Sequence, residues 1–271
     1  MKFTVLTLFP EIPQAYFENS IMAKAVEKGI IAYDLVNIRD FALDKHHKCD
    51  DAPYGGGAGQ LMMTEPLSRA LDSVNAKRKR VIYLTPGGIP FTQKKALELS
   101  CEEELVFICG RYEGIDQRVI DYYVDDEISI GDYVMSSGEL AATVMVDTIY
   151  RLVDGVISSE SLIEESHSDG LLEYPQYTRP SVFKGMTVPE VLLSGNHENI
   201  RKWRLKKRLE KTLRNRPDML WELRRTNRLS MEAQLMIEEI TEHTAIKNCK
   251  KKQKMARRQL REAAEHSTDV D

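Results

Sequence analysis

Four glycine-bearing loops carry most of the chemical information in this sequence of 271 residues. They are residues 53–59 (PYGGGAG), 86–88 (PGG), 109–114 (CGRYEG) and 129–138 (SIGDYVMSSG). Since glycine has no Cβ, the backbone at these positions can approach a ligand closely and offer it N–H and C=O groups. Any one of these loops could be a simple turn. Their clustering along the chain nevertheless favours a ligand site built from backbone atoms.

The two common phosphate-binding devices are absent. No Gly-Lys-Ser/Thr triplet occurs in the sequence, which excludes a Walker loop. The turn after the first apolar run is Phe9-Pro10-Glu11, which is not the GxGxxG that opens a dinucleotide-binding helix. A nucleotide-like ligand would therefore have to be held by backbone groups from several loops at once.

Metal and nucleophile motifs are weak. Residues 45–51 (KHHKCDD) are rich in potential ligands, but adjacent histidines rarely share one ion. The four cysteines (Cys49, Cys101, Cys109 and Cys249) have no CxxC spacing, so we expect reduced thiols rather than a disulfide scaffold. No local motif suggests a Ser-His-Asp triad.

A basic stretch lies in the C-terminal third of the chain. It contains twelve lysines and arginines: Arg201, Lys202, Arg204, Lys206, Lys207, Arg208, Lys211, Arg214, Arg216, Arg224, Arg225 and Arg228. Only Glu210, Asp218 and Glu222 oppose them, in a chain with a net charge of −4. Such a stretch can be a solvated helix face, or it can bind nucleic acid phosphates. Trp203 and Trp221 favour RNA, because unpaired bases stack on aromatic rings. The tail 247–261 is also basic.

The positions of these motifs follow from the predicted elements. Strands are expected at residues 3–8, 31–38, 80–84 and 105–109, and helices at residues 10–29, 65–75, 92–100, 115–123 and 139–153. In the first helix Phe17, Ile21 and Ala25 share one face. Alternating strands and helices predict an α/β fold with a parallel sheet covered on both faces. Ligands bind such sheets at the carboxyl ends of the strands, which is where the glycine loops fall.

The remaining sequence suggests two further segments. Residues 158–180 are rich in serine, glycine, proline and acidic residues, which is typical of a linker or a lid. Residues 181–271 read as a helical domain, in which Leu205, Leu209 and Leu213 form one helix stripe. A further helix is expected from Ser230, with Leu235, Ile237 and Ile240 as its apolar residues. The first domain is therefore expected at residues 1–157. With 42% hydrophobic and 30% charged residues and no long apolar run, the chain is expected to be soluble and cytoplasmic.

Six segments, in this order, resemble the bacterial tRNA (guanine-N1)-methyltransferases of the trefoil-knotted SPOUT superfamily. They are PYGGGAG, CGRYEGID, SIGDYV, GLLEYPQYTRP, VPEVLLSGNH and IRKWRLKK. The resemblance covers roughly residues 1–240. Gln60, Ser137 and the pair Glu165-Ser166 depart from it, since the family commonly has methionine, glycine and Asp-Ser there.

The resemblance implies a deep trefoil knot in the N-terminal domain, a small all-helical C-terminal domain, and a homodimer with the active site at the subunit interface. It also implies S-adenosylmethionine as methyl donor, tRNA as substrate and a magnesium requirement, for which the sequence identifies no protein ligands. The expected cofactor-binding residues are Tyr83, Leu84, Thr85, Pro86, Gly110, Glu113, Ile130, Gly131, Asp132, Tyr133, Val134, Met135 and Gly138. The expected RNA-binding residues are Gly55, Gly56, Gly57, Gly59, Arg179, Arg201, Arg204, Lys207 and Arg208.

The implied reaction methylates N1 of the guanosine immediately 3′ of the anticodon. The N1 proton must leave as the methyl arrives, which calls for a general base. Charge develops towards O6, where a guanidinium can stabilise it. By resemblance Arg151 is that guanidinium and Glu165 is the base, with Asp169 as the alternative. A ribose 2′-O-methyltransferase and a non-catalytic RNA-binding protein of the same fold remain the competing hypotheses.

Overall fold

The computed structural model describes residues 1–158 and 164–242 of the chain. The chain divides into two compact units, Met1–Glu160 and Ser161–Asp271. The predicted basic tail at 247–261 and Cys249 lie outside the described residues. Across the two described ranges, none of the helices has the length and apolar character that a membrane crossing requires.

A five-stranded parallel sheet forms the centre of the first unit, which confirms the α/β prediction. In chain order the strands are β1 (Lys2–Thr7), β2 (Ala32–Asn37), β3 (Asp50–Asp51), β4 (Leu61–Met62), β5 (Arg80–Pro90), β6 (Glu104–Cys109) and β7 (Asp126–Ser129). The sheet has the order β2-β1-β6-β5-β7, and β3 pairs with β4 in a separate antiparallel ribbon. Its central strand β6 is fully buried from Leu105 to Cys109, as the apolar run of a strand covered on both faces requires.

Helices cover both faces of the sheet. They are α1 (Glu11–Phe17), α2 (Ser20–Glu27), α3 (Thr64–Ser73), α4 (Gln93–Leu99), α5 (Gln117–Tyr123) and α6 (Glu139–Tyr150), with 3₁₀ turns at Ile38–Phe41 and Ala76–Arg78. Alternate residues of β6 point to opposite sides: Phe107 packs into the core beneath α1, α2, α4 and α6, and Val106 packs into the core beneath α3 and α5. The sheet therefore has one hydrophobic core on each of its faces.

Three details of this unit differ from the sequence predictions. The helix expected at 10–29 is broken into α1 and α2, because Ser20 takes a left-handed φ of 59° at the junction. The break rotates Ile21 to the surface, 43% exposed, so its predicted place on the buried stripe is wrong. Strand β7 was missed, since its sequence DEIS is short and half acidic and becomes a strand only by pairing with β5.

The second unit contains helices and one hairpin. The helices are α7 (Glu190–Leu193), α8 (His197–Asn215), α9 (Pro217–Arg225) and α10 (residues 231–242), and the hairpin joins β8 (Val182–Phe183) to β9 (Met186–Thr187). The hairpin is an addition to the purely helical domain that we predicted. On α8 Leu209 is buried and Leu205 and Leu213 pack beside it, as the stripe predicts. On α10 Ile237 and Ile240 are buried, whereas Leu235 is 56% exposed.

Part of the predicted linker packs against α8. Leu171 belongs to the core of the second unit, and the Leu172 N–H donates to Thr212 Oγ1 at 2.9 Å. The guanidinium of Arg208 binds the carboxylate of Asp169 through two hydrogen bonds. These contacts fix residues 169–172 on the helical unit.

Candidate functional site

A cavity of about 310 Å³ opens at the carboxyl ends of β5, β6 and β7. Its walls are a bulge within β5, the loops that follow β6 and β7, and the start of α6. The lining residues are Tyr83, Leu84, Thr85, Pro86, Gly110, Arg111, Tyr112, Glu113, Gly114, Ile128, Ser129, Ile130, Gly131, Tyr133, Val134, Met135, Ser136, Ser137, Gly138 and Ala141. The glycine loops therefore converge on one site, as the parallel sheet predicts.

The first wall is an irregularity within β5. Leu84 and Ile89 both pair with Ile128 of β7, so residues 85–88 bulge out of the ladder. Gly88 lies against the β7 backbone, where an added Cβ would be 2.5 Å from Glu127 C and Ile128 N. Only glycine lets the two strands come this close, and the bulge turns Thr85 and Pro86 towards the cavity.

The second wall is the turn 110–114 after β6. Tyr112 takes a left-handed φ of 58°, and the Gly114 N–H closes the turn onto Arg111 O at 3.1 Å. Glu113 N donates to Gln60 O at 2.9 Å, and Met62 N donates to Gly114 O at 3.0 Å. The turn is thereby tied to the segment that precedes α3.

The third wall is the loop 130–138 between β7 and α6. Ser129 Oγ donates to Gly131 O at 2.9 Å, and Tyr133 N donates to Gly131 O at 2.8 Å. At its far end Gly138 N donates to Gly110 O at 2.9 Å, which joins the second and third walls. These backbone hydrogen bonds fix the loops that form the second and third walls, and polar side chains such as Thr85, Ser136 and Ser137 also line the cavity.

Two buried side chains at the cavity, Tyr83 and the neighbouring Cys109, have raised pKa values. Burial raises the pKa of the Tyr83 phenol, although hydrogen bonds with Ile115 and Thr85 oppose the shift. Burial, with the negative charge of Glu139 added, raises the pKa of the nearby Cys109 thiol well above its usual value. Both groups stay protonated at neutral pH, so the site suits transfer to an external nucleophile.

Twelve of the thirteen predicted cofactor residues line this cavity; the exception is Asp132. Residues that we did not predict, among them Arg111, Tyr112 and Ser136, line it as well. They belong to the same CGRYEG and SIGDYVMSSG motifs, so reading each motif as a whole loop would have found them.

Arg151 caps the carboxyl end of α6. One turn earlier on the same helix, Asp147 accepts a hydrogen bond from the Tyr16 hydroxyl of α1. Burial, followed by hydrogen bonds with Tyr16 and Asp147, raises the pKa of Tyr150. A guanidinium at this position interacts favourably with the negative end of the helix dipole. The cluster fixes the helix end from which the Arg151 side chain projects.

The two candidate bases differ in their surroundings. Asp169 accepts two hydrogen bonds from Arg208 and one from Leu171 N at 3.1 Å. Arg208 is only 6% exposed and also donates to Leu172 O at 3.3 Å. The carbonyl of Glu165 accepts from Ser168 N–H and Oγ–H, at 3.2 and 2.8 Å, so its backbone begins a closed turn. The carboxylate of Asp169 thus has a structural role, and the burial of Arg208 weighs against its predicted contact with RNA.

The loop of the PYGGGAG motif is exposed and can be formed only by a glycine-rich sequence. Gly55, Gly56, Gly57 and Gly59 all have positive φ, between 76° and 130°. The Gly59 Cα faces the side chain of Glu113, since a Cβ there would fall 2.4 Å from Glu113 Oε1. Of the four predicted RNA-binding glycines, Gly59 therefore lies against the cavity loop 110–114.

Ion pairs hold most of the predicted RNA-binding cations of α8. Arg201 binds Glu198 and Glu232, Lys207 binds Glu210 at 2.6 Å, and Arg204 lies 3.6 Å from Glu164 and over the Tyr174 ring. Arg179 is exposed and has no carboxylate partner within the described ranges. Counting charges along 201–228 missed Glu164, Asp169, Glu198, Glu232 and Glu239, because these partners lie outside that stretch.

Within residues 164–242, Arg214 and Arg224 are exposed cations without an ion-pair partner in the described chain. Trp221, on the same helix as Arg224, is 77% exposed. Exposed tryptophan and free arginine are the groups that stack on and neutralise RNA. The described residues contain no group of three or more His, Cys, Asp or Glu side chains placed to hold a metal ion.

The neighbouring glycines of the β5 bulge give a matched test of this geometry. We expect Gly88→Ala to push β7 from β5, to lower the melting temperature by several degrees and to enlarge or collapse the cavity. Gly87→Ala should stay close to the unsubstituted protein, because a Cβ there meets only Thr85 Oγ1 at 3.9 Å. Thermal unfolding of both variants checks this; equal melting temperatures would contradict the packing described for Gly88.

Comparison with known proteins identifies the family. The family model described as tRNA (guanine-1)-methyltransferase TrmD matches residues 1–222. A tRNA (guanine-N(1)-)-methyltransferase of Treponema denticola is 70% identical over 239 residues, covering 88% of this chain and 98% of the relative. The proteins of the same name from Borreliella burgdorferi and Treponema pallidum are 62% and 59% identical, covering 81% and 89% of this chain and 92% and 96% of the relatives. With the family model spanning the cavity and most of the helical unit, the chain belongs to the tRNA (guanine-1)-methyltransferase family.

Proposed function

We propose that the chain transfers a methyl group from S-adenosylmethionine to N1 of the guanosine immediately 3′ of the anticodon of tRNA. The family membership and the names of relatives up to 70% identical support the reaction. The observation that carries the proposal is the cavity itself. Three motif segments that are far apart in sequence converge there, and twelve of the thirteen residues predicted to bind the cofactor line it.

The cavity fits a nucleoside sulfonium better than a nucleoside phosphate. It offers backbone N–H and C=O groups, the apolar side chains of Leu84, Ile128 and Ala141, and no glycine-rich helix start with a lysine. S-adenosylmethionine supplies an electrophilic methyl group when bound. We propose that it is held by the twelve predicted cofactor-binding residues that line the cavity, with Asp132 at the edge of the third wall.

We assign the general base to Glu165 rather than to Asp169. The carboxylate of Asp169 is already engaged by two hydrogen bonds from Arg208 and one from Leu171 N, so its oxygens are committed to holding this turn. Glu165 is half-buried at the start of the same turn. The ion pair of Asp169 with Arg208 would then hold the turn that carries Glu165.

Arg151 is proposed to stabilise charge on guanine O6 as the N1 proton leaves. Its position at the end of α6 supports this role, because that helix begins at the cavity and its carboxyl end is fixed by Tyr16 and Asp147. No step is assigned to magnesium, since the described residues offer no metal-binding cluster.

We further propose that the first unit contains the trefoil knot of this superfamily. The chain leaves β7 at the edge of the sheet, passes through loop 130–138, and returns as α6 to pack beneath β1 and β6. The hydrogen bond from Gly138 N to Gly110 O brings the returning segment against the turn 110–114. A chain that doubles back beside an earlier loop in this way is compatible with a knot.

A homodimer is proposed because apolar side chains around the cavity are exposed in the single chain. Tyr133 and Val134 of the third wall, and Leu140 and Val144 on one face of α6, form this exposed set. A second copy covering them would bury apolar surface and complete the site. Light scattering should give twice the chain mass of 31.0 kDa; the mass of one chain would contradict the dimer.

The reaction is tested by single-turnover transfer from labelled S-adenosylmethionine to unmodified tRNA, followed by nucleoside mapping. We expect label in 1-methylguanosine beside the anticodon. Arg151→Ala should slow this transfer by roughly two to three orders of magnitude, because one fixed donor to a developing oxyanion contributes that much. Label on a ribose would identify a 2′-O-methyltransferase, and tight tRNA binding without transfer would identify a non-catalytic binding protein.

The base is tested by comparing Glu165→Gln with Asp169→Asn. The first should abolish most of the single-turnover rate with a small change in melting temperature. The second should mainly lower the melting temperature, because it leaves the buried Arg208 without its counter-charge. The reverse pattern would assign the base to Asp169.

Neighbouring arginines on α9 test the RNA surface. We expect Arg224→Ala to weaken tRNA binding and to reduce the slope of log K against log salt by about 1, the contribution of one phosphate contact. Arg225→Ala is the matched control, because that exposed arginine already binds Glu222 at 2.7 Å. Equal slopes for Arg224→Ala and the unsubstituted protein would move the RNA surface elsewhere.

A further inference from the structure

Glu139, the first residue of α6, is the one glutamate among the described residues with no solvent exposure. Burying a carboxylate is costly unless it is paired and hydrogen-bonded. Glu139 Oε1 accepts a hydrogen bond from Thr7 Oγ1 at 2.7 Å, while Oε2 has no hydrogen-bond partner in the described chain. Burying this carboxylate costs free energy that an apolar side chain would not cost. Its presence therefore indicates a role that an apolar residue could not fill.

The cation that faces Glu139 is Arg111 of the cavity turn. Arg111 Nε lies 3.6 Å from Glu139 Oε1, and its guanidinium lies over the Phe9 ring at 4.1 Å. The Arg111 side chain therefore points inward from the turn, while the Arg111 residue itself lines the cavity. The Glu139 side chain lies behind the wall rather than in it.

Three segments meet at this carboxylate. Thr7 ends β1 and its hydroxyl also accepts from Phe9 N at 2.9 Å, Arg111 belongs to the turn after β6, and Glu139 begins α6. The carboxylate also lies in the first turn of a helix, where the dipole favours negative charge. A single side chain thus connects two walls of the cavity to strand β1.

We propose that Glu139 is a positioning residue for the methyl donor, acting through Arg111. By holding the guanidinium against Phe9, it fixes the turn 110–114 at the distance from loop 130–138 that the donor requires. This inference rests on the proposed function, since it assumes that the cavity binds S-adenosylmethionine. It assigns Glu139 no contact with the donor and no part in proton transfer.

The sheet contains a matched control at its opposite end. Glu104, the first residue of β6, accepts from Thr4 Oγ1 at 2.8 Å and from Lys79 Nζ at 2.8 Å. Like Glu139, Glu104 accepts from a threonine of β1 and faces a cation, but it lies at the amino end of β6 rather than beside the cavity loops. Glu104→Gln therefore reports what loss of such a carboxylate does to stability alone.

The test measures binding of S-adenosylhomocysteine to the full chain by calorimetry, with melting temperatures for each variant. We expect Glu139→Gln to weaken binding roughly tenfold, and to raise the KM for S-adenosylmethionine more than it lowers kcat. Glu104→Gln should lower the melting temperature and leave the affinity unchanged. A Glu139→Gln variant that loses only thermal stability, as the control does, would overturn the proposal.

A double variant separates positioning through Arg111 from an independent effect. If Glu139 acts through Arg111, then Glu139→Gln with Arg111→Met should bind no more weakly than the weaker single variant. If the losses of affinity of the two single variants multiply in the double variant, the proposal is overturned. If Glu139→Gln does not fold, Arg111→Lys, which keeps the charge, should bind more tightly than Arg111→Met; equal affinities would overturn it. Failure of the unsubstituted protein to bind S-adenosylhomocysteine would instead reject the proposed function.

Discussion

The double pairing of β5 brings the candidate site together. At Leu84 this strand pairs with Cys109 of β6 on one side and with Ile128 of β7 on the other. The three strands therefore reach the same edge of the sheet. The bulge of β5 and the glycine loops after β6 and β7 have to meet there. The bulge at 85–88 depends on the same pairing, since the close approach of Gly88 to β7 lets the ladder resume at Ile89. A residue with a Cβ at that position would separate the edge strand and, with it, one wall of the cavity.

The charged side chains at the two ends of the sheet differ in how completely they are paired. At the amino end Arg80 binds Asp126, Glu98 and Glu102, and Lys95 adds a second cation to Asp126. Burial alone would raise the pKa of Asp126, but hydrogen bonds from Arg80 and Lys95 outweigh burial and hold it below the usual range. That network is fully paired and suits stability. At the carboxyl end the Glu139 carboxylate has a more distant cation and a free oxygen, an arrangement that proteins retain where position matters more than stability.

The sequence allowed the sheet and the cavity motifs to be predicted because both depend on local patterns. Apolar runs of four to six residues predict buried strands, and glycine clusters after them predict the loops. Strand β7 could not be found this way, since half of DEIS is acidic and only the neighbouring β5 makes it a strand. The break before Ser20 and the exposure of Leu235 are likewise settled by packing, because a helical period alone does not say where a helix stops or which side is covered. The roles of Asp169 and Arg208 depend on each other across 39 residues and are visible only in the folded unit.

Partners that become visible only in the folded unit also determine which cations of the basic helices α8 and α9 can bind RNA. A local excess of positive charge attracts phosphate only to the extent that the charges lack partners, because an arginine bound to glutamate already has its counterion. In α8 the partners come from 164–173, from the helix itself and from α10, so the cations there hold the helical unit together. Within the described part of α8 and α9, the exposed arginines without an ion-pair partner are Arg214 at the end of α8 and Arg224 of α9, on the same helix as the exposed Trp221. Recognition of tRNA by this unit would then depend on a small number of phosphate contacts and on stacking, which is compatible with a chain whose net charge is negative.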